Sequence, residues 1–153
     1  MRLNAIEKAL MNNPVRAAIQ RHYEVPLLKR FGGTIDAGMV LEVGCGRGLG
    51  TDLILERFGA RHVTAFDLDP DMVERARRRL GHHIPQRVTL SVGDVTAIDA
   101  DDATFDAVFD FGIIHHAPNW RDGLEEVRRV LKSGGRFYFE EVTSHALQRW
   151  SYR

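Results

Sequence analysis

The sequence predicts an α/β fold built on a doubly wound, mostly parallel sheet. After Gly38, short apolar runs alternate with amphipathic stretches at helical spacing. Most of these runs are apolar on both faces, which is typical of parallel strands covered by helices on each side. A glycine-rich turn follows the first run and opens the first helix of this region. We therefore expect a ligand site at the carboxyl edge of the sheet.

Length and composition predict one globular domain. The chain has 153 residues, of which 44% are hydrophobic and 27% charged, enough for a substantial core but too few for two ordinary domains. Its 21 basic and 21 acidic residues cancel, so no global charge attracts nucleic acid or an anionic membrane. A single cysteine, Cys45, excludes an intramolecular disulfide. Because no segment resembles a signal peptide or a membrane span, we expect a cytoplasmic protein.

The expected domain, residues 1–153, divides into a helical preface (1–33), a core (38–142) and a tail (143–153). In the preface, apolar residues recur at helical spacing from Leu3 to Leu10 and again after Asn13-Pro14. Proline suits the first position of a helix, so a second helix is predicted to start there. Pro26 is predicted to break or kink it.

The core is predicted to contain five strands and three helices. Asp69-Pro70 is typical of a helix start, with Asp69 as the N-cap. The polar residues 94–104 receive no assignment. The predicted strands are residues 39–43, 63–66, 88–92, 107–111 and 137–142, and the predicted helices are residues 49–58, 70–80 and 121–131.

The glycine-rich turn, residues 44–50, carries the clearest functional signal. Glycine stands at every second position, and glycine lets a backbone turn sharply and approach a ligand closely. The following helix presents N–H groups and a positive dipole end to an anionic group. Leu49 stands where the dinucleotide pattern G-x-G-x-x-G requires glycine or alanine, so the strict pyrophosphate pattern fails.

Together with the acidic residue before it, the turn resembles motif I of the class I S-adenosylmethionine-dependent methyltransferases. That motif is an acidic residue followed by G-x-G-x-G, filled here by Glu42, Gly44, Gly46 and Gly48. Later segments resemble the same family in the same order, and they are residues 64–70, 91–95, 105–118 and 131–137. The resemblance covers residues 39–141 and implies a Rossmann-like methyltransferase fold that binds S-adenosylmethionine or its product S-adenosylhomocysteine.

The resemblance also implies roles for individual residues. The glycines would receive the methionine end of the cofactor, Asp67 the ribose hydroxyls and Asp94 the adenine amino group. A carboxylate suits a vicinal diol because each of its oxygens can accept one O–H bond. Leu68 and Val95 would lie against the adenine faces. The full set of implied cofactor-binding residues is Glu42, Gly44, Cys45, Gly46, Gly48, Asp67, Leu68, Asp94, Val95, Asp110 and Phe111.

The sequence contains two pairs of adjacent histidines and one cysteine, all residues that can take part in chemistry. His115 and His116 follow the fourth predicted strand, so either is a candidate general base beside the cofactor. Neighbouring residues on an extended chain point to opposite sides, so no metal site is predicted there. His82-His83 are interpreted as surface residues, and Cys45 as a small packed residue. His22 and Tyr23 belong either to a lid over the cofactor or to a plain packing helix.

We interpret the chain as a methyltransferase that acts on a small-molecule acceptor by in-line methyl transfer. The sulfonium already activates the methyl group, so few catalytic side chains are expected. Two alternatives stay open. One is a cofactor-binding module or partner subunit without catalysis, and the other is an NAD-type Rossmann oxidoreductase, which Leu49 disfavours. Neither a nucleic acid nor a membrane is expected as a partner.

The last predicted strand has few residues after it. Domains of the resembled family continue with a helix and two more strands, so these C-terminal strands are expected to be truncated here. Residues 137–142 would then form an exposed sheet edge. We expect a second copy to cover this edge in a homodimer, or residues 144–153 to cap it. The cofactor half would remain intact, whereas the acceptor pocket would lack the missing part.

Overall fold

The computed structural model describes residues 14–140, which contain five strands. These are β1 (Met39–Val43), β2 (His62–Asp67), β3 (Val88–Val92), β4 (Phe105–Phe111) and β5 (Leu131–Glu140). They form one sheet in the order β3-β2-β1-β4-β5, with every neighbouring pair parallel. The predicted doubly wound parallel sheet is therefore confirmed. Strands β2 and β3 are added on one side of β1, and β4 and β5 on the other side. Such folds bind ligands at this switch point, between β1 and β4.

Helices connect the strands. They are α1 (Pro14–Ile19), α2 (Val25–Gly32), α3 (Leu49–Leu53), α4 (Pro70–Leu80) and α5 (Trp120–Val130). Two π-helical segments extend them: Gln20–Glu24 joins α1 to α2, and Ile54–Phe58 continues α3. A short 3₁₀ turn, Ile114–His116, follows β4. Among the described helices, none is long and apolar enough to cross a lipid bilayer.

Pro26 changes the type of helix without ending it. The Val25 N–H bonds to the Gln20 carbonyl, so the chain passes through a π turn directly before α2. Pro26 then lies in the first turn of α2, where the missing N–H of proline costs least. The helix predicted from Leu3 to Leu10 lies outside the described residues, as do residues 141–142 of the last predicted strand.

Alternating side chains place a core on each face of the sheet. Val40 of β1 and Phe109 of β4 face the helices α3 and α4, where they join Leu53, Val73 and other buried residues. Their neighbours in the same strands, Leu41 and Val108, lie on the opposite face of the sheet. There they pack with Val127 and Val130 of α5. This burial on both faces explains why the strands are nearly continuous apolar runs in the sequence.

The start of α4 follows the predicted chemistry. The Asp69 side chain accepts a hydrogen bond from the Asp71 N–H at 3.0 Å, and Pro70 is the first helical residue. Asp69 is therefore the N-cap, as predicted. The helix ends at Leu80, which is also the predicted end.

The beginning of β5 differs from the prediction. Pairing with β4 starts at Leu131, opposite Phe105, and is interrupted before it resumes at Arg136, opposite Ala107. The strand therefore starts where α5 ends, with a bulge between these paired positions. The sequence predicted a strand only from residue 137, because the polar and glycine residues of the bulge lack the apolar pattern of a strand. Within the described residues, β5 forms one edge of the sheet and β3 forms the other.

Candidate functional site

A cavity of about 510 Å³ lies at the carboxyl ends of the central strands, a volume typical of small-molecule sites. It places together many of the residues singled out from the sequence. These are Glu42, Gly44, Cys45, Gly46, Asp67, Leu68, Asp94, Val95, Phe111 and His116. Three further predicted residues, Gly48, Asp110 and His115, do not contribute to the wall of the cavity.

The glycine loop forms one side of the cavity. Gly44, Gly46 and Gly48 all have positive φ, at 68°, 53° and 80°, which residues with a side chain rarely adopt. A side chain at Gly44 would collide with Ile113 and one at Gly48 with Leu80, whereas one at Gly46 would meet nothing within 4 Å. Gly46 is therefore the glycine that leaves room for a ligand, and the other two allow close packing.

Asp67, at the end of β2, holds this loop in place. Its Oδ2 accepts a hydrogen bond from the Gly46 N–H at 2.8 Å, and its Oδ1 accepts one from the Asp69 N–H at 2.9 Å. Asp67 also belongs to the cavity wall, so the same carboxylate shapes the loop and faces the cavity.

Glu42 brings a buried acid to the cavity wall. Its side chain is 2% exposed and accepts a hydrogen bond from the Thr51 hydroxyl. Burial raises the pKa of Glu42 to about 8, and the negative charges of Asp67 and Asp52 add to this effect. Burial therefore favours the protonated, neutral form of Glu42. A cation bound nearby would favour the ionised form.

Cys45 lies in the same loop but is not suited to nucleophilic chemistry. It is 4% exposed, and its N–H bonds to the Phe66 carbonyl at 2.9 Å. Burial raises the pKa of the Cys45 thiol above its usual range. Since the thiolate is the reactive form, this thiol is a packed group.

The segment after β3 contributes Asp94 and Val95. Asp94 Oδ1 accepts hydrogen bonds from both the N–H and the hydroxyl of Thr96, at 2.9 and 2.8 Å, which fixes this carboxylate at the surface. Val95 is buried, whereas Leu68 after β2 is 42% exposed. Asp94, Val95 and Leu68 thus bring a held acceptor and apolar side chains to the same cavity wall.

The segment after β4 differs from the expectation of an extended chain. His115 and His116 lie on a 3₁₀ turn, with ring centroids 4.0 Å apart, so the premise that they point to opposite sides is wrong. His116 contributes to the cavity wall, and His115 is exposed. Asp110 is fully buried, and its Oδ1 accepts the Ile113 N–H at 2.8 Å. Asp110 therefore supports this turn from beneath.

The helical preface covers the cavity with residues that the sequence analysis missed. Arg16, Ala17 and Gln20 belong to the cavity wall, whereas Tyr23 is 67% exposed and lies outside it. The sequence does contain a signal for a shared polar face. Arg16, Gln20 and Glu24 recur every four residues, which places them on one side of a helix.

Arg16 also ties the preface to the sheet. Its guanidinium pairs with Glu24 and, at 3.2 Å, with Glu140 at the end of β5. Burial and a hydrogen bond with Glu24 raise the pKa of Glu140 to about 7, although Arg16 acts in the opposite direction. One cation thus joins two carboxyl groups from different elements beside the cavity.

The fold and the site define a class of protein. A parallel sheet in this order, with a glycine loop and strand-end acids around a cavity, is typical of α/β domains that bind nucleotide-type cofactors. Residues 40–135 match the family model of a methyltransferase domain. The chain belongs to this family, the class I S-adenosylmethionine-dependent methyltransferases.

Individual relatives agree with this assignment. The chain is 35% identical over 108 residues to the fatty-acid O-methyltransferase of Mycolicibacterium smegmatis, covering 71% of this chain and 38% of the relative. It is 30% identical over 146 residues to the malonyl-[acyl-carrier protein] O-methyltransferase of Serratia marcescens, covering 95% of this chain and 54% of the relative. The chain thus spans about half or less of the length of these curated relatives.

A solved structure shows the same fold. The PH0226 protein from Pyrococcus horikoshii OT3 superposes with a TM-score of 0.72 at 30% sequence identity, covering 92% of this chain and 61% of that structure. The similarity therefore extends over nearly all of the chain.

Proposed function

We propose that this domain binds S-adenosylmethionine in the cavity and transfers its methyl group to a small-molecule acceptor. The observation that carries this proposal is the arrangement at Gly46. Its N–H is bonded to Asp67, and apart from its own chain neighbours no heavy atom lies within 4 Å of the place where a Cβ would be. The loop is thus held in a shape that leaves the cavity accessible to a ligand along its backbone.

The residues around the cavity fit the parts of this cofactor. Asp67 would accept the ribose hydroxyls, and Leu68 and Val95 would contact the adenine ring. Asp94 would accept the adenine amino group, and the glycine loop would lie along the methionine end. The cavity volume of about 510 Å³ falls within the range of sites that bury most of a ligand of this size.

The cavity wall offers acidic side chains to a cationic group of a ligand, and it also contains Arg16, Arg47 and Arg79. Asp67, Asp94 and the buried Glu42 all belong to this wall, and the cofactor carries a sulfonium and an ammonium group. Either positive charge near Glu42 would lower its pKa from about 8 and draw the ionised carboxylate into an ion pair.

Few side chains are needed for the chemistry itself. When bound, S-adenosylmethionine supplies an activated methyl group that passes to a nucleophile by in-line displacement, leaving S-adenosylhomocysteine. His116, in the cavity wall, would accept a proton that the acceptor loses. Ala17 and Gln20 of the preface would exclude water from one side of the cavity. These residues thus position the reactants and exclude water.

The acceptor class to test first is a molecule with an oxygen nucleophile. Both curated relatives described above are named O-methyltransferases. Fatty acids and malonyl thioesters therefore belong in an acceptor panel, together with alcohols, phenols, amines and thiols as comparisons.

Two measurements test the proposal. Isothermal titration should show micromolar binding of S-adenosylhomocysteine and no binding of NADH. The opposite result would identify an oxidoreductase and overturn the proposal. Transfer of labelled methyl from the donor should then occur to at least one acceptor of the panel. Cofactor binding without transfer to any acceptor would identify a binding module instead.

A further inference from the structure

A second group of side chains that could bind a metal ion lies next to the cofactor cavity but is not part of its wall. It consists of Asp52 on α3 and of His82 and His83 in the turn that follows α4. Each offers one ligand atom, and these atoms all lie within 4.8 Å of one another. From the sequence the histidines are interpreted as surface residues, because they do not follow a strand end beside the expected cofactor. Asp52 belongs to a different helix and is far from them along the chain.

We propose that Asp52, His82 and His83 bind one divalent transition-metal ion, with Zn²⁺ as the best match. Two imidazole nitrogens and one carboxylate oxygen are ligands that zinc commonly takes, and three protein ligands leave a fourth position for water. This proposal is independent of the methyl transfer, since none of the three side chains is needed there.

The backbone holds the two histidines in a suitable arrangement. The His83 N–H bonds to the Leu80 carbonyl at the end of α4, and the His83 carbonyl accepts the Arg87 N–H, both at 2.8 Å. The rings of His82 and His83 lie side by side, with centroids 3.9 Å apart. Both imidazoles are therefore presented on the same side of an anchored turn.

A small adjustment of the side chains would complete the site. Tetrahedral zinc bonds of about 2.1 Å place neighbouring ligand atoms about 3.4 Å apart, somewhat closer than the present upper limit of 4.8 Å. His82 is exposed, so its ring can rotate without disturbing the core. The site would then connect α3 with the turn after α4.

Arg79 sets a limit on the affinity. Its Nε donates to Asp52 Oδ2 at 2.7 Å, and its positive charge opposes a nearby cation. The carboxylate still has further acceptor positions, and the bond to Arg79 fixes its orientation, as outer partners do at metal sites. We therefore expect micromolar affinity, weaker than that of a closed structural zinc site.

The experiment uses the full chain without an affinity tag, stripped with a chelator and titrated with Zn²⁺ alone by calorimetry. One ion should bind per chain. His83→Ala and Asp52→Asn should each weaken binding by about tenfold or more. His115→Ala is the matched control, because it removes one ring of the other adjacent histidine pair, whose centroids are 4.0 Å apart. That variant should bind Zn²⁺ as the original chain does.

The outcomes separate the proposal from unspecific binding. Zn²⁺ should also raise the melting temperature of the original chain, and this rise should disappear in the variants. His82→Ala, at an exposed position, provides a folded variant if Asp52→Asn is unstable. No micromolar binding, or an affinity that His82→Ala and Asp52→Asn leave unchanged, would overturn the proposal. Loss of binding in His115→Ala would place the ion at the other pair and would also overturn it.

Discussion

Gly46 is the residue at which backbone strain and ligand access can be separated by experiment. It has a φ of 53° and open space above it, and Gly134 in the bulge of β5 has a φ of 77° and equally open space. Only Gly46 belongs to the wall of the cofactor cavity. Gly46→Val and Gly134→Val should therefore cost similar stability, roughly 1–3 kcal/mol for a strained backbone.

Their effects on cofactor affinity should differ. Gly46→Val should weaken S-adenosylhomocysteine binding by about tenfold or more, since a branched side chain fills the space beside the loop. Gly134→Val should leave affinity unchanged in the same calorimetric titration. Equal affinity of the two variants would show that the loop does not contact the cofactor.

Glu42 should make the stability of the protein depend on pH in the absence of added cofactor. Its pKa is about 8 in the folded chain, against an ordinary value of 4.5. Between these values the unfolded chain has lost the proton and the folded chain still binds it. Stability therefore falls as pH rises from about 4.5 to about 8.

Glu42→Gln should remove this contribution, because a neutral amide has no proton to lose. Urea unfolding at pH 5, 6.5 and 8 should show the variant gaining stability relative to the original chain as pH rises. Glu56→Gln is the control, since Glu56 is an exposed partner of Arg21, and its variant should keep the original slope. A parallel pH dependence in the original chain and Glu42→Gln would contradict the raised pKa.

At the scale of elements, the preface is expected to control how long the cofactor stays bound. Arg16 belongs to the cavity wall and pairs with Glu24 and Glu140, so it joins the helix to the end of β5. Arg16→Met keeps most of the side-chain length but removes both ion pairs. The dissociation rate of S-adenosylhomocysteine should rise several-fold in stopped-flow measurements.

Arg21→Met provides the comparison for this effect. Arg21 lies in the π-helical segment that follows α1 and pairs with Glu56 at 3.0 Å. It does not belong to the cavity wall. Its variant should release the cofactor at the original rate. If the two variants dissociate alike, the preface acts through general stability and not through closure of the cavity.

At the scale of the whole molecule, the β5 edge is expected to mediate self-association. Within the described residues no strand pairs with the outer side of β5. Phe139 of this strand is 55% exposed. Unpaired edges with apolar side chains tend to pair with another chain. Light scattering over a range of concentrations should therefore detect a dimer.

Phe139→Lys should shift this equilibrium to the monomer, because a charge on the edge opposes pairing. Leu124→Lys changes a residue of α5 that is 37% exposed and should leave the dimer intact. A monomer at every concentration in the original chain would favour the alternative in which residues 144–153 cap the edge.

The sequence predicts an element well where the interactions that form it lie within a few residues of one another. Strands 39–43 and 88–92 and helix 70–80 have their predicted ends, because apolar periodicity and the Asp69 cap act over a few residues. The start of β5 was missed, since its first residues are held by pairing with β4 and not by their own pattern. Pro26 likewise predicted a break or kink, and the structure instead has a π turn directly before α2.

The order of the elements, the glycine loop after β1 and the acids at the strand ends could all be predicted from the amino-acid sequence. Each depends on neighbouring residues, whose spacing is visible in the chain. Only the tertiary structure brought Arg16 and Gln20 to the cavity, buried Glu42 so that its pKa rises, and placed Asp52 beside His82 and His83. The physical reason is that these properties depend on distances and burial between segments far apart in sequence, and packing of the whole sheet and its helices sets those distances.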